Sequence, residues 1–276
     1  MTVRDVIQAI AIFFRPRGRP IAVLLLVVVV AAIVAWRTWP RDATFERVKE
    51  RGVLRVGLDP SFPPFENLDP ATGKPVGFDV DLTTALAAQM GVKAEIVPAG
   101  FDELVDAVAA HRVDAAISAL PVFPWRSRDV SFSSPYVEAG VVLAARPGAP
   151  ITGTAGLAGR RVAVEWGSEG DAQARALQKS SAPGLVLVQR EDAGQALAAV
   201  AAGEADAAIV DAISLALHNR DGARLITIGA PLRSDPYVVV VPHDAPALLN
   251  AIDAGLAQLQ ANGTLAALHA RWFGEQ

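Results

Sequence analysis

Charged and aromatic side chains follow the predicted strands of this 276-residue chain. Asp59 comes directly after an apolar run, and Arg126 lies shortly beyond Ser118, where another run ends. The planar guanidinium of Arg126 matches a carboxylate. Asp211, after a third apolar run, would attract an ammonium group. Opposite charges of this kind suit a small zwitterion, and they predict binding rather than bond breaking.

Aromatic walls and a helix start would complete this candidate site. Phe62, Phe101 and Trp166 offer apolar or stacking surface. The Gly167-Ser168 turn presents backbone N–H groups at a predicted helix start, a setting that stabilises anions. These groups all fall after predicted strands, and ligands of open parallel sheets bind beyond the carboxyl ends of the strands. We therefore expect them to face one cleft.

Structural interpretations of the same residues remain open. Arg126 could pair only with nearby charges such as Asp129, and Phe101 could belong to the core. Asp211 could serve only to cap the helix that follows it. The histidines have no metal-ligand spacing, and no serine stands in a nucleophile-elbow motif. No metal site, cofactor or catalytic residue is predicted.

Composition and charge exclude several classes of function. The chain is 52% hydrophobic and 20% charged, an ordinary globular composition. It contains no cysteine, which excludes disulfides, thiol catalysis and a lipid anchor on an N-terminal cysteine. Five arginines and one aspartate give residues 1–40 a charge of +4, so the rest of the chain carries −8 of the total of −4. That balance predicts no nucleic-acid binding.

An apolar segment near the N-terminus predicts contact with a membrane. Ile21–Trp36 is uncharged and follows three arginines. Extended to Trp39 as a helix at about 1.5 Å per residue, it would span roughly 28 Å, enough to cross the hydrocarbon of a bilayer. A signal peptide cleaved after Ile33-Val34-Ala35 is the competing interpretation. Either way we expect a periplasmic protein, anchored to the inner membrane by residues 21–39 or released after cleavage.

The remainder alternates between predicted strands and helices, which indicates an α/β fold with largely parallel sheets. Asp79 is placed to cap the first long helix. The predicted strands are Val53–Leu58, Ala94–Val97, Val113–Ser118, Arg161–Trp166, Leu185–Gln189 and Ala205–Val210. The predicted helices are Thr44–Arg51, Val80–Met90, Phe101–Ala110, Asp171–Lys179, Asp192–Ala202 and Pro246–Phe273, the last broken near Asn262-Gly263.

An internal echo indicates two similar lobes. Residues 107–117 and 199–209 share a helix, a tight turn and a strand at matching spacing, with Asp114 and Asp206 at the turn. Two strand-like segments, Val141–Arg146 and Tyr237–Pro242, are predicted to cross between the lobes. The predicted domains are a cytoplasmic stub with an anchor or signal (1–40), lobe I (45–139 and 243–276) and lobe II (140–242).

Several motifs resemble those of family 3 extracellular solute-binding proteins, the polar-amino-acid receptors of ABC importers. The resemblance covers about residues 45–276. The matching segments are Leu54–Glu66, Gly77–Leu82, Ile117–Arg126, Val130–Tyr136, Val210-Asp211, Gly263-Thr264 and Trp272–Gly274.

The resemblance implies a type II periplasmic-binding-protein-like fold, with two α/β lobes that are joined by two strands and close on a ligand. Arg126 would hold the α-carboxylate and Asp211 the α-ammonium group. The other positions implied as ligand contacts, together with neighbours on the same turns, are Asp59, Phe62, Phe101, Ser118, Ala119, Trp166, Ser168 and Glu169. The implied partners are an amino acid or related amine, an ABC permease and, through the N-terminal helix, the membrane; the protein is expected to be a monomer.

Two departures from the family pattern bear on the ligand. Pro121 and Glu169 stand where the family usually has hydroxyl residues. Glu169 would interact favourably with the helix dipole without affecting the ligand, repel a carboxylate ligand, or attract a cationic one. Two alternative functions stay open: a membrane-tethered ligand sensor, and an enzyme similar to cyclohexadienyl dehydratases. The second conflicts with Ser214, because that branch carries a glutamate at the corresponding position.

Overall fold

The computed structural model describes residues 43–220, 222 and 224–274, together with residues 28 and 29. The chain divides into two compact units, Met1–Arg41 and Asp42–Gln276, and the description below concerns the second. Apart from residues 28 and 29, the predicted anchor or signal helix at 21–39 therefore lies outside the described residues. None of the helices that the structure describes has the length and apolar composition needed to cross a membrane.

The first sheet has five strands, β1 Val53–Leu58, β5 Lys93–Pro98, β6 Ala115–Ala116, β7 Val130–Phe132 and β15 Val240–Pro242. Their order in the sheet is β5-β1-β6-β15-β7. β1 runs parallel to β5 and β6, while β15 runs antiparallel to β6 and β7. The helices that accompany this sheet are α1 Ala43–Arg51, α2 Phe78–Gln89, α3 Phe101–Ala109, α7 Pro246–Ala261 and α8 Thr264–Phe273. We call this sheet and its helices the first lobe.

The second sheet has the strands β9 Val141–Ala145, β10 Arg161–Glu165, β11 Val186–Arg190, β12 Ala207–Asp211 and β13 Ile226–Thr227, with helices α4 Glu169–Lys179, α5 Ala193–Ala201 and α6 Ala212–Arg220. It repeats the plan of the first sheet, with the order β11-β10-β12-β9-β13. β10 is parallel to β11 and β12, and β9 is antiparallel to β12 and β13. This is the second lobe. The predicted two-lobed α/β architecture is confirmed.

Two short antiparallel strands, β8 (Val137–Glu138) and β14 (Pro236–Tyr237), form a two-stranded sheet where the chain passes between the lobes. Glu138 ties the two passages together, because its carboxylate accepts hydrogen bonds from the N–H groups of Gly140 and Asp235 and from the hydroxyl of Ser234. A side chain at Gly140 would lie 2.0 Å from the Arg233 carbonyl oxygen. Only glycine allows this close approach.

The structure corrects the predicted crossings and one boundary. Val141–Ala145 is buried throughout and lies inside the second sheet, so it is not the crossing strand. Val240–Pro242 pairs with strands of the first sheet, which places the lobe boundary before Val240 rather than after 242. Both segments are apolar on both faces because both of their faces are covered.

The ligand edge of the first lobe carries an insertion between β1 and α2. It is a three-stranded sheet of β2 Ser61–Phe62, β3 Glu66–Leu68 and β4 Pro75–Val76. The chain then turns at Gly77, where a Cβ atom would lie 2.0 Å from the Phe65 carbonyl oxygen and where φ is 146°. Glycine at this point brings α2 against β3, and with it two buried carboxyl groups, Glu66 and Asp79.

Candidate functional site

The first half-site is a cavity of about 390 Å³ at the carboxyl ends of the first sheet. Asp59 follows β1, and its carboxylate accepts a hydrogen bond from the N–H of Phe101 at 2.9 Å, which caps α3 from a different element. Phe62 is half exposed and stacks on buried Phe65, with 5.6 Å between ring centroids. The residues that line the cavity are Asp59, Ser61, Phe62, Glu66, Phe101, Ala119, Pro121, Asp235 and Tyr237.

Glu66, which lines this cavity, and Asp79 form a pair of buried carboxyl groups. They are 1% and 0% exposed, and each influences the pKa of the other. Burial and the neighbouring charge of Asp79 raise the pKa of Glu66 to about 10, while burial raises the pKa of Asp79 to about 6. Glu66 is thus the protonated member at neutral pH, and the pair carries a single negative charge.

These carboxyl groups hold the loop that follows β6. The Ser118 hydroxyl donates to Glu66 at 2.8 Å and accepts from the N–H of Asp59 at 3.0 Å. Asp79 accepts from the N–H of Ala119 at 2.6 Å and from the hydroxyl of Tyr136 at 3.0 Å. Ala119 has a φ of 46°, a left-handed conformation that a non-glycine residue adopts only when its surroundings enforce it. Asp79 is thus a buried support and not the predicted helix cap.

The second half-site is a smaller cavity, of about 170 Å³, at the carboxyl ends of the second sheet. Ser168 caps α4 by accepting from the N–H of Asp171 at 3.2 Å. Asp211 ends β12, and one of its carboxylate oxygens accepts from the N–H of Ser214 at 2.7 Å, which caps α6. The residues that line this cavity are Val141, Glu165, Ser168, Glu169, Gly170, Ala193, Val210 and Asp211.

Glu169 is held in an ion pair at the rim of this second cavity. Its carboxylate lies 2.7 Å from the guanidinium of Arg233 and 2.9 Å from the side-chain amide of Gln173. The hydrogen bond from Gln173 has the larger effect and the bond from Arg233 the second largest, and both lower the pKa of Glu169 below its ordinary value. Glu169 is therefore ionised at neutral pH. The carboxylate that was expected to repel or attract the ligand therefore has a cationic partner already.

Arg126 lines neither half-site. Its guanidinium donates to Asp106 at 2.5 Å and to Asp129 at 3.0 Å. Both contacts raise the pKa of Arg126, and the contact with Asp106 has the larger effect. Arg126 is not among the residues that line either cavity. Arg126 and Asp211 do not line a common cavity, and the predicted carboxylate contact of Arg126 stays a prediction.

The other predicted residues divide between the two cavities. Asp59, Phe62, Phe101 and Ala119 line the first, and Ser168, Glu169 and Asp211 line the second. Ser118 is fully buried beneath the first. Trp166 is 73% exposed and lines neither. Within the described residues, no three His, Cys, Asp or Glu side chains form a group that could hold a metal ion.

Four residues that line the first half-site are not predicted as ligand contacts from the sequence. Glu66 stands in the matching segment Leu54–Glu66, and Pro121 is a departure from the family pattern. Asp235 and Tyr237 belong to the passage between the lobes and line the first half-site. The signal for them was positional, since the passage between two lobes borders the cleft that the lobes enclose.

A larger cavity, of about 580 Å³, lies beside β8, α6 and α8. Its lining is mainly apolar and contains none of the predicted site residues. His269 is the one histidine among the described residues that line this cavity. Burial lowers the pKa of His269. The polar convergence expected of an amino-acid site is found in the two half-sites and not here.

Comparisons with known proteins agree with this geometry. The family model described as bacterial extracellular solute-binding proteins, family 3, matches residues 54–275. The L-cystine-binding protein TcyJ of Escherichia coli (strain K12) is 27% identical over 260 residues, which cover 93% of this chain and 96% of that protein. The lysine/arginine/ornithine-binding periplasmic protein of the same strain is 30% identical over 229 residues, covering 80% and 87%.

Among solved structures, the L-cystine solute receptor of Neisseria gonorrhoeae in the unliganded open conformation is similar, with a TM-score of 0.73 and 26% identity. The match covers 83% of this chain and 96% of the receptor. The family model, which matches residues 54–275, extends over both lobes and the passages between them.

Proposed function

The chain belongs to the bacterial extracellular solute-binding proteins of family 3, and we propose that it captures an amino acid or a related amine between its lobes and presents it to an ABC importer. One observation carries the proposal: each lobe has a polar cavity at the carboxyl ends of its parallel strands, and the strand passage from Arg233 to Tyr237 borders both cavities. Relatives named for amino acids support the ligand class.

Charge favours an amine-bearing ligand. The described residues that line the two half-sites include six acids and neither lysine nor arginine. An ammonium group is attracted by this surface, and Asp211 is its best-placed partner, because Asp211 stands at the end of β12 in the second half-site. Each charge-assisted hydrogen bond to the ligand is worth about 1.5–3 kcal/mol net.

We further propose the division of the molecule and its setting. One lobe comprises residues 43–139 with 238–274, and the other comprises 140–235. The two lobes would close on the ligand, and the protein would be a monomer. The location is extracytoplasmic, which the family supports, with residues 21–39 as membrane anchor or cleaved signal. Sequencing the N-terminus of protein from membrane and soluble extracts separates these two possibilities.

Isothermal titration calorimetry tests the binding proposal. Protein stripped of ligand by unfolding and refolding is titrated with the twenty amino acids and a series of amines. We expect one-to-one binding that weakens at least about 10-fold in Asp211→Asn, since an amide still accepts the Ser214 N–H but lacks the charge. Asp206→Asn is the control, because Asp206 precedes the same strand at its opposite end. Arg126→Ala tests the predicted carboxylate contact.

The proposal is wrong if titration with this panel produces no heat and no ligand shifts the melting temperature. A dehydratase is not favoured, because position 214 is serine and its N–H is bonded to Asp211; phenylpyruvate release from prephenate is its assay. A sensor would bind a signalling partner, whereas a transport receptor would bind an ABC permease. Pull-down of partners from membrane extracts with this protein, with and without ligand, separates the two.

A further inference from the structure

Helix α6 of the second lobe contacts helix α8 of the first lobe at a distance from the cleft. The Arg220 guanidinium donates to the carbonyl of Trp272 at 3.3 Å, and a Cβ atom at Gly274 would lie only 2.9 Å from the Cβ of Arg220. Three apolar side chains of α6 also pack against the hydrophobic core of the first lobe: Ile213, Ala216 and Leu217. We call the packing of these four α6 residues on the first lobe the rear contact.

Each side of the rear contact is fixed within its own lobe. In the first lobe, Asp81 of α2 accepts from the indole N–H of Trp272 at 2.8 Å and pairs with Arg271 at 2.9 Å. In the second lobe, the side chain of Asn219 exchanges two hydrogen bonds with the backbone of Leu225, at 2.8 and 2.9 Å. The rear contact therefore joins two elements that move only with their lobes.

The passage between the lobes separates the rear contact from the cleft. Asp235 and Tyr237 of this passage line the first half-site. Tyr136, Val137 and Glu138 instead line the cavity of about 580 Å³ that α6 and α8 border. Because β8 pairs with β14, the two-stranded sheet lies between the cleft and this cavity. A rotation about this sheet that brings the half-sites together must draw α6 away from α8.

Helix α6 connects the second half-site to the rear contact. It begins directly after Asp211, whose carboxylate accepts from the N–H of Ser214 in the first turn at 2.7 Å. It ends at Arg220 in the rear contact. The four α6 residues of the rear contact are absent from the described lining of both half-sites. A movement of Asp211 toward a ligand would thus be transmitted to residues that do not touch the ligand.

We propose that the rear contact is a latch that holds the lobes apart in the ligand-free protein and thereby lowers ligand affinity, an inference that rests on the lobe closure proposed above. Closure must break the contact, so the free energy of the contact is subtracted from that of binding. The apparent affinity falls in proportion to the fraction of molecules in the closed state. Loosening the rear contact should therefore strengthen binding, whereas most damaging substitutions weaken it.

Leu217→Ala tests the sign of this effect, because alanine removes the apolar contact and preserves the helix. The chain has no cysteine, so Glu103→Cys and Glu191→Cys provide two exposed labelling positions, one in the first turn of α3 and one directly after β11. Single-molecule energy transfer in the full ligand-free chain should show a larger closed population in Leu217→Ala. Calorimetry with L-arginine, L-lysine and L-cystine should show binding about 3-fold tighter or more for each ligand that the wild type binds.

Leu177→Ala is the matched control. Leu177 is also a partly buried leucine of a second-lobe helix, but it packs against a cluster that lies wholly within that lobe. This variant should lower the melting temperature and leave both the energy-transfer distribution and the affinities as in the wild type. A gain of affinity equal to that of Leu217→Ala would show that general loosening of the second lobe, and not the rear contact, is responsible.

A reversible cross-link provides the opposite test. In Arg220→Cys/Gly274→Cys the two Cβ atoms start 2.9 Å apart, and a shift of about 1 Å would bring them into the range of a disulfide. The oxidised protein, verified by the loss of free thiols, should hold the lobes apart and bind ligand about 10-fold more weakly or worse. Reduction with dithiothreitol should restore binding at least as tight as that of the wild type.

Two results would overturn the latch. One is a Leu217→Ala protein whose ligand-free energy-transfer distribution and affinity equal those of the wild type or shift toward the open state. The other is a cross-linked protein that binds as tightly as its reduced form. Wild-type protein that binds nothing in the panel of amino acids and amines would contradict the proposed function, and energy transfer in the ligand-free chain would still decide whether the rear contact holds the lobes apart.

Discussion

The first and second lobes contain the same β–α–β–α–β unit, but the acidic residues near their two half-sites have opposite environments. In the first lobe, Glu66 and Asp79 are buried and fix the loop at Ser118 and Ala119. In the second, Glu169 is half exposed and is held by an ion pair with a neighbouring segment. The comparison teaches that one unit can supply both a fixed wall and an adjustable rim.

The cores differ in the same sense. Aromatic side chains, including Phe65, Phe78 and Phe273, pack together in the core of the first lobe, with ring centroids 5.1–6.0 Å apart. The buried clusters described for the second lobe consist of alanine, valine, leucine and isoleucine. Large rings beneath the first half-site suit a wall that keeps its shape, because closely packed interiors resist rearrangement.

The largest effect is expected from breaking the aromatic wall. Phe65→Ala should lower the free energy of unfolding by about 3–5 kcal/mol, since it leaves a cavity where a fully buried ring stood. Phe62→Ala, which removes the half-exposed ring stacked on Phe65, should cost less than about 1.5 kcal/mol. Urea denaturation followed by circular dichroism measures both, and equal losses would contradict the view that the rigidity lies below the cavity surface.

The sequence predicted the repeated unit better than the site. Asp114 and Asp206 were recognised as equivalent because short-range patterns of helix, turn and strand surround both. The pairing of Glu66 with Asp79 depends on the close approach at Gly77, and that of Glu169 with Arg233 depends on the passage between lobes. Such contacts between distant segments leave no periodicity in the chain, and Arg126, chosen for its charge, is instead neutralised by Asp106 and Asp129.

The protonated carboxyl of Glu66 predicts an unusual pH dependence for the first lobe. The pKa of Glu66 is raised, so the folded protein keeps a proton that the unfolded chain releases above about pH 4.5. Stability should therefore fall as pH rises toward 10, by at most about 1.4 kcal/mol per pH unit. Glu66→Gln removes this titration while its amide can still donate to Asp79, so its stability should change less between pH 6 and 9.

The second lobe provides the opposite sign for comparison. Its hydrogen bonds with Arg161 lower the pKa of Asp206, so Asp206 contributes stability above its ordinary pKa that is lost as pH falls. Asp206→Asn should flatten the acid limb of the stability curve and leave the alkaline limb as in the wild type. A Glu66→Gln curve that parallels the wild type above pH 6 would show that the carboxyl pair holds no extra proton.

The smallest effect distinguishes the two equivalent aspartates. In each lobe the aspartate before the third parallel strand accepts the N–H of an arginine in the first, at 2.8 Å for Asp114 with Arg55 and 2.9 Å for Asp206 with Arg161. Asp114 also pairs with the guanidinium groups of Arg51 and Arg55, and its side chain is 8% exposed, whereas that of Asp206 is 24% exposed.

We therefore expect Asp114→Ala to cost about 2 kcal/mol of unfolding free energy and Asp206→Ala about 1 kcal/mol. The two sites share no partner, so the double variant should show the sum of the single losses, measured by urea denaturation at pH 7. A larger loss at Asp206, or strong non-additivity, would mean that the lobes are not independent copies of one unit. Additive losses in the expected order would show that the same hydrogen-bonded device supports both sheets and that burial alone sets its strength.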